Sequence, residues 1–213
     1  MNIFFDLDGT LIDSKLRLYK LFCDLTGQTT HDFNSYWELK RAMYDHKWIL
    51  TNLFNYNEAK YLEFSKEWMA NIETDKYLSL DALFPFTLNT LGQFKQMEVP
   101  LFIVTSRHNK SNALLQLERL GLKTFFNDYF IASPPHKKSD LILKKGIILT
   151  KNDVIVGDTG IDIQTAKELK MISIAVLSGF RNMAILKTYS PDYIIKNIGE
   201  LHDCIRFKTR QDK

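Results

Sequence analysis

The sequence predicts a doubly wound α/β domain on a parallel sheet, with an all-helical segment inserted after the first strand. Three observations carry this. Short continuous apolar runs recur along the chain, and runs without in/out alternation fit strands covered on both faces. Helix-like patterns separate these runs, as in successive strand–helix–strand units. Residues 14–83 break the rhythm: they hold no convincing strand-like run, yet carry 13 of the 27 aromatic residues, including all three tryptophans.

Ile3 to Leu7 reads as the first strand. In the insertion, Leu18, Leu21, Phe22 and Leu25 fall at i, i+3, i+4, i+7 and predict a helix; Trp37, Met43 and Tyr44 hint at another. Thr87 to Met97 places Leu88, Leu91 and Phe94 on one helical face, and Val99 to Val104 follows as a strand. Ser111 to Leu120 gathers four leucines near one stripe before the stop at Gly121. Tyr129 to Ala132 reads as a weaker strand, and Ser139 to Lys145 as a short helix ending at Gly146. Val154 to Val156 and Ile172 to Val176 read as strands around a helix over Ile161 to Lys170. Tyr193 to Ile195 reads as an edge strand, and Asn197 to Phe207 as a last helix. The expected division is a core of residues 1–13 and 84–213 and a helical domain of 14–83, hinged near Asp13–Lys15 and Asp81–Pro85.

Composition narrows the class. Of 213 residues, 45% are hydrophobic and 25% charged, which is ordinary globular usage and excludes disordered, collagen-like and disulfide-scaffold chains. No apolar run approaches the roughly 18 residues of a membrane span. Met1-Asn2-Ile3-Phe4-Phe5 lacks the basic start and longer apolar stretch of a secretory signal, so a soluble cytoplasmic protein is expected. Cys23 and Cys204 form no metal or redox motif, and the five histidines form no HxxxH pair. The net charge of +3 is matched by the tail Arg206 to Lys213, so residues 1–205 balance. The basic isoelectric point therefore does not indicate a nucleic-acid surface.

Chemistry concentrates at strand ends. Asp6 and Asp8 in Asp6-Leu7-Asp8-Gly9-Thr10 follow an apolar run directly, and i, i+2 positions on a strand share a side. Two crowded carboxylates repel, and a hard cation with oxygen ligands offsets the repulsion. Gly157-Asp158-Thr159-Gly160-Ile161-Asp162 puts two more carboxylates after Val154-Ile155-Val156. Ligands of open α/β sheets bind beyond the carboxyl ends of strands. Four acids arriving there would be costly unless compensated, and a divalent metal resolves the cost. Thr105-Ser106 ends a further strand; its hydroxyls and backbone N–H groups could hold phosphate oxygens or cap the following helix. Lys137 and Lys138, in a loop before a helix, could balance both the acids and a phosphate.

These residues resemble the haloacid dehalogenase-like superfamily of phosphohydrolases. Its four motifs are matched in order by Asp6-Leu7-Asp8-Gly9-Thr10-Leu11-Ile12-Asp13-Ser14, by Val104-Thr105-Ser106, by Lys138 in Lys138-Ser139-Asp140-Leu141-Ile142, and by Gly157-Asp158-Thr159-Gly160-Ile161-Asp162. Leu83-Phe84-Pro85, Ser178-Gly179-Phe180 and Pro191-Asp192-Tyr193 are similar to the phosphoglycolate-phosphatase-like branch, whose helical cap is inserted where residues 14–83 stand. The resemblance implies a Rossmann-like core with a cap, and a phosphatase acting on a small phosphorylated metabolite, with neither a nucleic-acid nor a membrane partner.

It also implies residue roles. Asp6 would be the nucleophile that forms an aspartyl-phosphate. Asp8 would protonate the leaving alcohol and then activate water, its pKa pushed toward working pH by its crowded neighbours. Mg²⁺ would be held by the Asp6 carboxylate, the Asp8 backbone carbonyl and Asp158, with Asp162 orienting them or Lys138. Thr105, Ser106 and Lys138 would cradle the phosphoryl oxygens. A carboxylate at position 8 disfavours the dehalogenase branch. Ser106 stands where asparagine is frequent, Ser139 where proline is frequent and Phe86 where glycine is common. Trp37, Arg41 and Trp48 are the cap residues expected to meet substrate or fill the cap's own core. Alternatives are a phosphomutase, a phosphonatase using Lys15, Lys40 or Lys47 as an imine, and a non-catalytic phosphate-binding regulator. Phosphoglycolate, a sugar phosphate, a nucleoside monophosphate and pyrophosphate all remain open as substrates.

Overall fold

The computed structural model describes residues 1–27, 32–133 and 136–205; the basic tail from Arg206 lies outside them. In chain order the elements are β1 (Ile3–Phe5), β2 (Ile12–Asp13), α1 (Lys15–Thr26), α2 (Phe33–Arg41), α3 (His46–Phe54), α4 (Glu58–Asn71), α5 (Asp75–Leu78), β3 (Ala82–Leu83), α6 (Thr87–Gln96), β4 (Leu101–Ser106), α7 (Lys110–Arg119), β5 (Asp128–Ala132), α8 (Lys138–Lys144), β6 (Val154–Gly157), α9 (Gly160–Glu168), β7 (Ile172–Val176), α10 (Met183–Thr188) and β8 (Tyr193–Ile195). Short 3₁₀ turns at Lys123–Phe125 and Ile198–Glu200 complete them.

The main sheet has six strands in the order β5-β4-β1-β6-β7-β8, all parallel. Helices cover both faces, as the continuous apolar runs require. On one face Phe4, Phe102, Phe130 and Ile155 pack with Ile142 of α8 and Ala166 of α9; on the other Ile3, Phe5, Ile103 and Val156 pack with Leu91 and Phe94 of α6 and Leu117 of α7. The chain moves outward from β1 to one side and then returns to β6 on the other. The order therefore reverses at β1, where ligands of such sheets bind.

Between β2 and β3, which pair antiparallel through Ile12–Leu83 and Asp13–Ala82, the described residues form five helices. They enclose a core of their own: Phe22, Tyr36, Trp37, Ile49, Leu50, Tyr56 and Phe64. Three of these helices begin at an Asp or Asn whose side chain accepts a backbone N–H, namely Asp32 from Ser35, Asp45 from Trp48 and Asn57 from Lys60. This satisfies donors that a helix start otherwise leaves unpaired.

Several expectations need correction. The insertion holds more helices than the two periodic patterns suggested, and α10 was not anticipated. Lys138 is the first residue of α8, not part of the preceding loop. The helix after Thr105-Ser106 is capped by Asn109, which accepts from Asn112 at 3.0 Å, so neither Thr105 nor Ser106 serves as its cap.

Candidate active site

A cavity of about 280 Å³ opens at the carboxyl ends of β1, β4 and β6, lined by Asp6, Asp8, Thr105, Ser106, Lys138 and Asp158 among others. The sheet explains the convergence. Phe5 pairs with Ile103 on one side and Val156 on the other, so the residues just past these strands meet above them. Gly9 permits the turn. Its φ is +78°, and a Cβ there would overlap the Asp158 carboxylate and Gly179.

Lys138 sits between two acids. Its Nζ donates to Asp6 Oδ1 at 2.7 Å and to Asp162 Oδ1 at 2.6 Å, and all three side chains are buried. The remaining oxygen of Asp162 accepts from the Thr159 backbone N–H and hydroxyl at the start of α9. Both Asp162 oxygens are thus engaged. Asp158 Oδ2 accepts from the Phe180 backbone N–H at 2.6 Å, whereas its Oδ1 is buried with no partner. Lys137, by contrast, is exposed and lies 3.6 Å from Glu168.

Oxygens of Asp6, Asp158 and Asp162 lie within 4.8 Å of one another. Burial pushes Asp6 up to about 7 despite the neighbouring Lys138. Burial, then the charges of Asp6 and Asp162, push Asp158 well above the carboxylate range. An orphaned carboxylate oxygen among buried acids needs a proton or a cation. The all-oxygen donor set fits a hard divalent ion, with Asp6 and Asp158 the carboxylates that could hold it.

Asp8 departs from its expected electrostatics. Arg107 donates from Nε to Oδ2 at 2.8 Å and from Nη2 to Oδ1 at 2.9 Å, and Arg17 of α1 also donates to Oδ1. Burial alone would raise its pKa, but Arg107 and Arg17 together hold it below the usual value. The carboxylate tuned upward is Asp6, not Asp8. Behind the two arginines, Asp81 lies 3.3 Å from Arg17 Nε, and Gln116 donates to Asp81 at 2.6 Å while accepting from Arg107 at 3.1 Å. This network went unread in the sequence. One signal was available: Arg17 lies one turn before Leu21, and both are buried.

Trp37, Arg41 and Trp48, the three residues of the inserted segment singled out from sequence, do not line the cavity. Trp37 stacks on Phe180 with ring centroids 5.5 Å apart. Arg41 donates to the Leu177 carbonyl at 3.1 Å. Trp48 packs on Tyr44 at 4.1 Å. The first two join the helices to the loop after β7. The residues of the inserted segment that do line the cavity are Arg17, Leu18, Trp68, Met69, Ile72 and Glu73, the last two in the turn after α4. Glu73 also accepts the backbone N–H groups of His108 and Asn109 at 2.9 and 2.6 Å.

A doubly wound sheet thus carries an acid cluster and a buried lysine at its switch point. The chain belongs to the haloacid dehalogenase-like hydrolases, whose family model matches residues 3–176, and is a phosphatase-type member of them. It is 24% identical to a phosphoglycolate phosphatase from Synechococcus elongatus over 98% of this chain and 99% of that one. It is 23% identical to a pyrophosphatase from Oceanobacillus iheyensis over 94% of each. A solved haloacid dehalogenase-like hydrolase from Streptococcus pneumoniae superposes with a TM-score of 0.77 at 26% identity, covering 95% of this chain and 96% of that one. Among the described residues no helix is long and apolar enough to cross a membrane.

Proposed function

We propose that the protein is a Mg²⁺-dependent phosphatase that hydrolyses a small phosphomonoester through an aspartyl-phosphate on Asp6. The observation that carries this is the buried Asp6–Asp158–Asp162 cluster, in which Asp158 Oδ1 has no partner while Lys138 holds Asp6.

Asp6 is the nucleophile; its oxygen attacks phosphorus as the ester oxygen departs, which splits one hard displacement into two easier ones. Lys138 holds that carboxylate in place and offers positive charge to the equatorial phosphoryl oxygens, shared with Thr105 and the Ser106 backbone. Asp162 positions Lys138. Asp8 gives a proton to the leaving oxygen and afterwards takes one from the water that cleaves the acyl-phosphate. To do so it must first exchange an arginine contact for a proton. The Asp6 and Asp158 carboxylates and the Asp8 backbone carbonyl would hold Mg²⁺, which when bound neutralises the acids and lets an anionic ester approach.

In the same reading, residues 1–13 and 84–213 are the catalytic core, and residues 14–83 are a cap that shields the site from water. The substrate is a small phosphorylated metabolite of the cytoplasm. Lys15, Lys40 and Lys47, which an imine mechanism would need, do not line the cavity, and this favours ester hydrolysis over phosphonate cleavage.

The test is phosphate release from a panel of phosphomonoesters, with Mg²⁺ and with EDTA, for wild type and Asp6→Asn. Release is expected to require the metal and to fall by at least roughly a thousandfold in the variant. Release from no ester above the variant's background would overturn the reading.

A further inference from the structure

We propose that Arg17 and Arg107 select the leaving group by pairing with a second anionic group on it, a carboxylate or a phosphate; this rests on the phosphatase reading above. Both arginines line the cavity, and they come from different parts of the chain. Arg17 belongs to α1 of the inserted segment, and Arg107 directly follows β4 of the core. Their side chains are only 4% and 3% exposed. The Nη2 atoms of both donate to one and the same oxygen, Asp8 Oδ1, so two like charges stand beside each other on a single carboxylate. The Nη1 atom of each is buried with no partner among the described residues. A buried donor that has given up water without gaining an acceptor is costly, the more so on a cation. The planar fork of a guanidinium matches a carboxylate or a phosphate oxygen pair.

The acids nearby are already engaged. Asp8 is held by both arginines. Asp81 accepts from Gln116 at 2.6 Å and lies 3.3 Å from Arg17 Nε. Glu73 lines the cavity, but its two oxygens accept the backbone N–H groups of His108 and Asn109. The rest of the wall supplied by the inserted segment is apolar: Leu18, Trp68, Met69 and Ile72. Recognition of a polar leaving group on that wall therefore falls to Arg17, with Arg107 beside it. An anion seated on the pair bridges the inserted segment and the core. In the proposed reaction Asp8 also gives up an arginine contact, and the donor so freed joins the two Nη1 atoms. The leaving group's anion accepts it, so that no buried guanidinium is left uncompensated.

The experiment compares kcat/KM of the Mg²⁺-loaded protein for 2-phosphoglycolate, pyrophosphate and 2-hydroxyethyl phosphate. The first carries a carboxylate on its leaving group, and the leaving group of the second is itself a phosphate. The third replaces the carboxylate of the first by a neutral hydroxymethyl group. At least one anionic substrate is expected to exceed the neutral one by about tenfold or more, and the better of the two identifies the anion as carboxylate or phosphate. Arg17→Lys and Arg107→Lys keep a charge in the buried group but lose the fork. Each is expected to lower kcat/KM for the preferred anionic substrate about tenfold more than for 2-hydroxyethyl phosphate. Calorimetric titration of Asp6→Asn, with and without Arg17→Lys, should show the same selective loss as a rise in Kd. Efficiency with the neutral ester equal to or above that with both anionic substrates overturns the inference while leaving the phosphatase reading intact. So do lysine variants that fold and weaken all three substrates alike. Turnover of no substrate at all overturns both.

Discussion

Arg107 grips Asp8 through two parallel hydrogen bonds, Nε to Oδ2 at 2.8 Å and Nη2 to Oδ1 at 2.9 Å. The pair joins the end of β4 to the turn after β1. Through Gln116 and Asp81 it continues to the residue just before β3, where the chain returns from the helical segment. The proposed acid is therefore tied to the neck of the insertion by buried charges.

Removing one partner of such a pair strands the other. Arg107→Ala is expected to destabilise the protein by about 3 kcal/mol, because Asp8 loses its two-pronged partner and keeps only Arg17, and the Gln116 side-chain oxygen loses its donor. Arg107→Lys should recover only part, since a point charge cannot reproduce the two-pronged contact. Urea denaturation of the three proteins checks this, and an unchanged midpoint in Arg107→Ala would show that the pair contributes nothing.

Lys138 and Lys137 should separate cleanly. Lys138→Ala leaves Asp6 and Asp162 facing each other without a cation, and is expected to cost about 3–5 kcal/mol as well as turnover. Lys137, with a side chain 69% exposed, should tolerate alanine with activity within about twofold, as surface pairs contribute little. Loss of activity in Lys137→Ala would reverse the assignment.

The acid cluster sets a pH dependence. Asp6 is raised to about 7 in the folded protein from an ordinary 3.8, and Asp158 is likewise raised well above that ordinary value. Between the unfolded and folded values the native state binds more protons. These groups therefore favour folding least once pH has risen through about 7, and most below the unfolded value. Metal-free Asp158→Asn should gain stability relative to wild type between pH 5 and pH 8. Mg²⁺ should raise the wild-type Tm more at pH 8 than at pH 5, because it competes with the protons. Thermal melts at both pH values, with Mg²⁺ and with EDTA, test this; a metal effect independent of pH would contradict it.

Gly179 tests the metal site without touching a carboxylate. A Cβ there would overlap Asp158, so Gly179→Ala must displace it. The expected result is roughly a tenfold rise in the Mg²⁺ concentration needed for half-maximal activity, as for other supports of a ligand. An unaltered metal requirement would remove Asp158 from the proposed ligand set.

The α/β class, the six main strands and the candidate acids were legible because each depends on local sequence. Apolar runs of three to six residues fit strands buried on both faces, and Asp6, Asp8 and Asp158 follow such runs closely. The insertion was legible as helical but not in detail. The Asp32, Asp45 and Asn57 caps signal three helix starts, while the dense aromatics obscured the periodicity. The two-residue strands β2 and β3 carry no pattern of their own; each exists through the other.

Tertiary structure alone decided the electrostatics. Arg17, Asp81, Arg107 and Gln116 come from four separate segments, and each looks like an ordinary surface residue until packing removes water around it. That removal, and the arginines it brings to Asp8, lowers Asp8 and raises Asp6, although the two acids are separated by a single leucine. It likewise gave the cavity wall to Trp68 while turning Trp37 and Arg41 to the loop after β7. Local sequence determines which side chains can do chemistry here; the distances between remote segments determine which of them do.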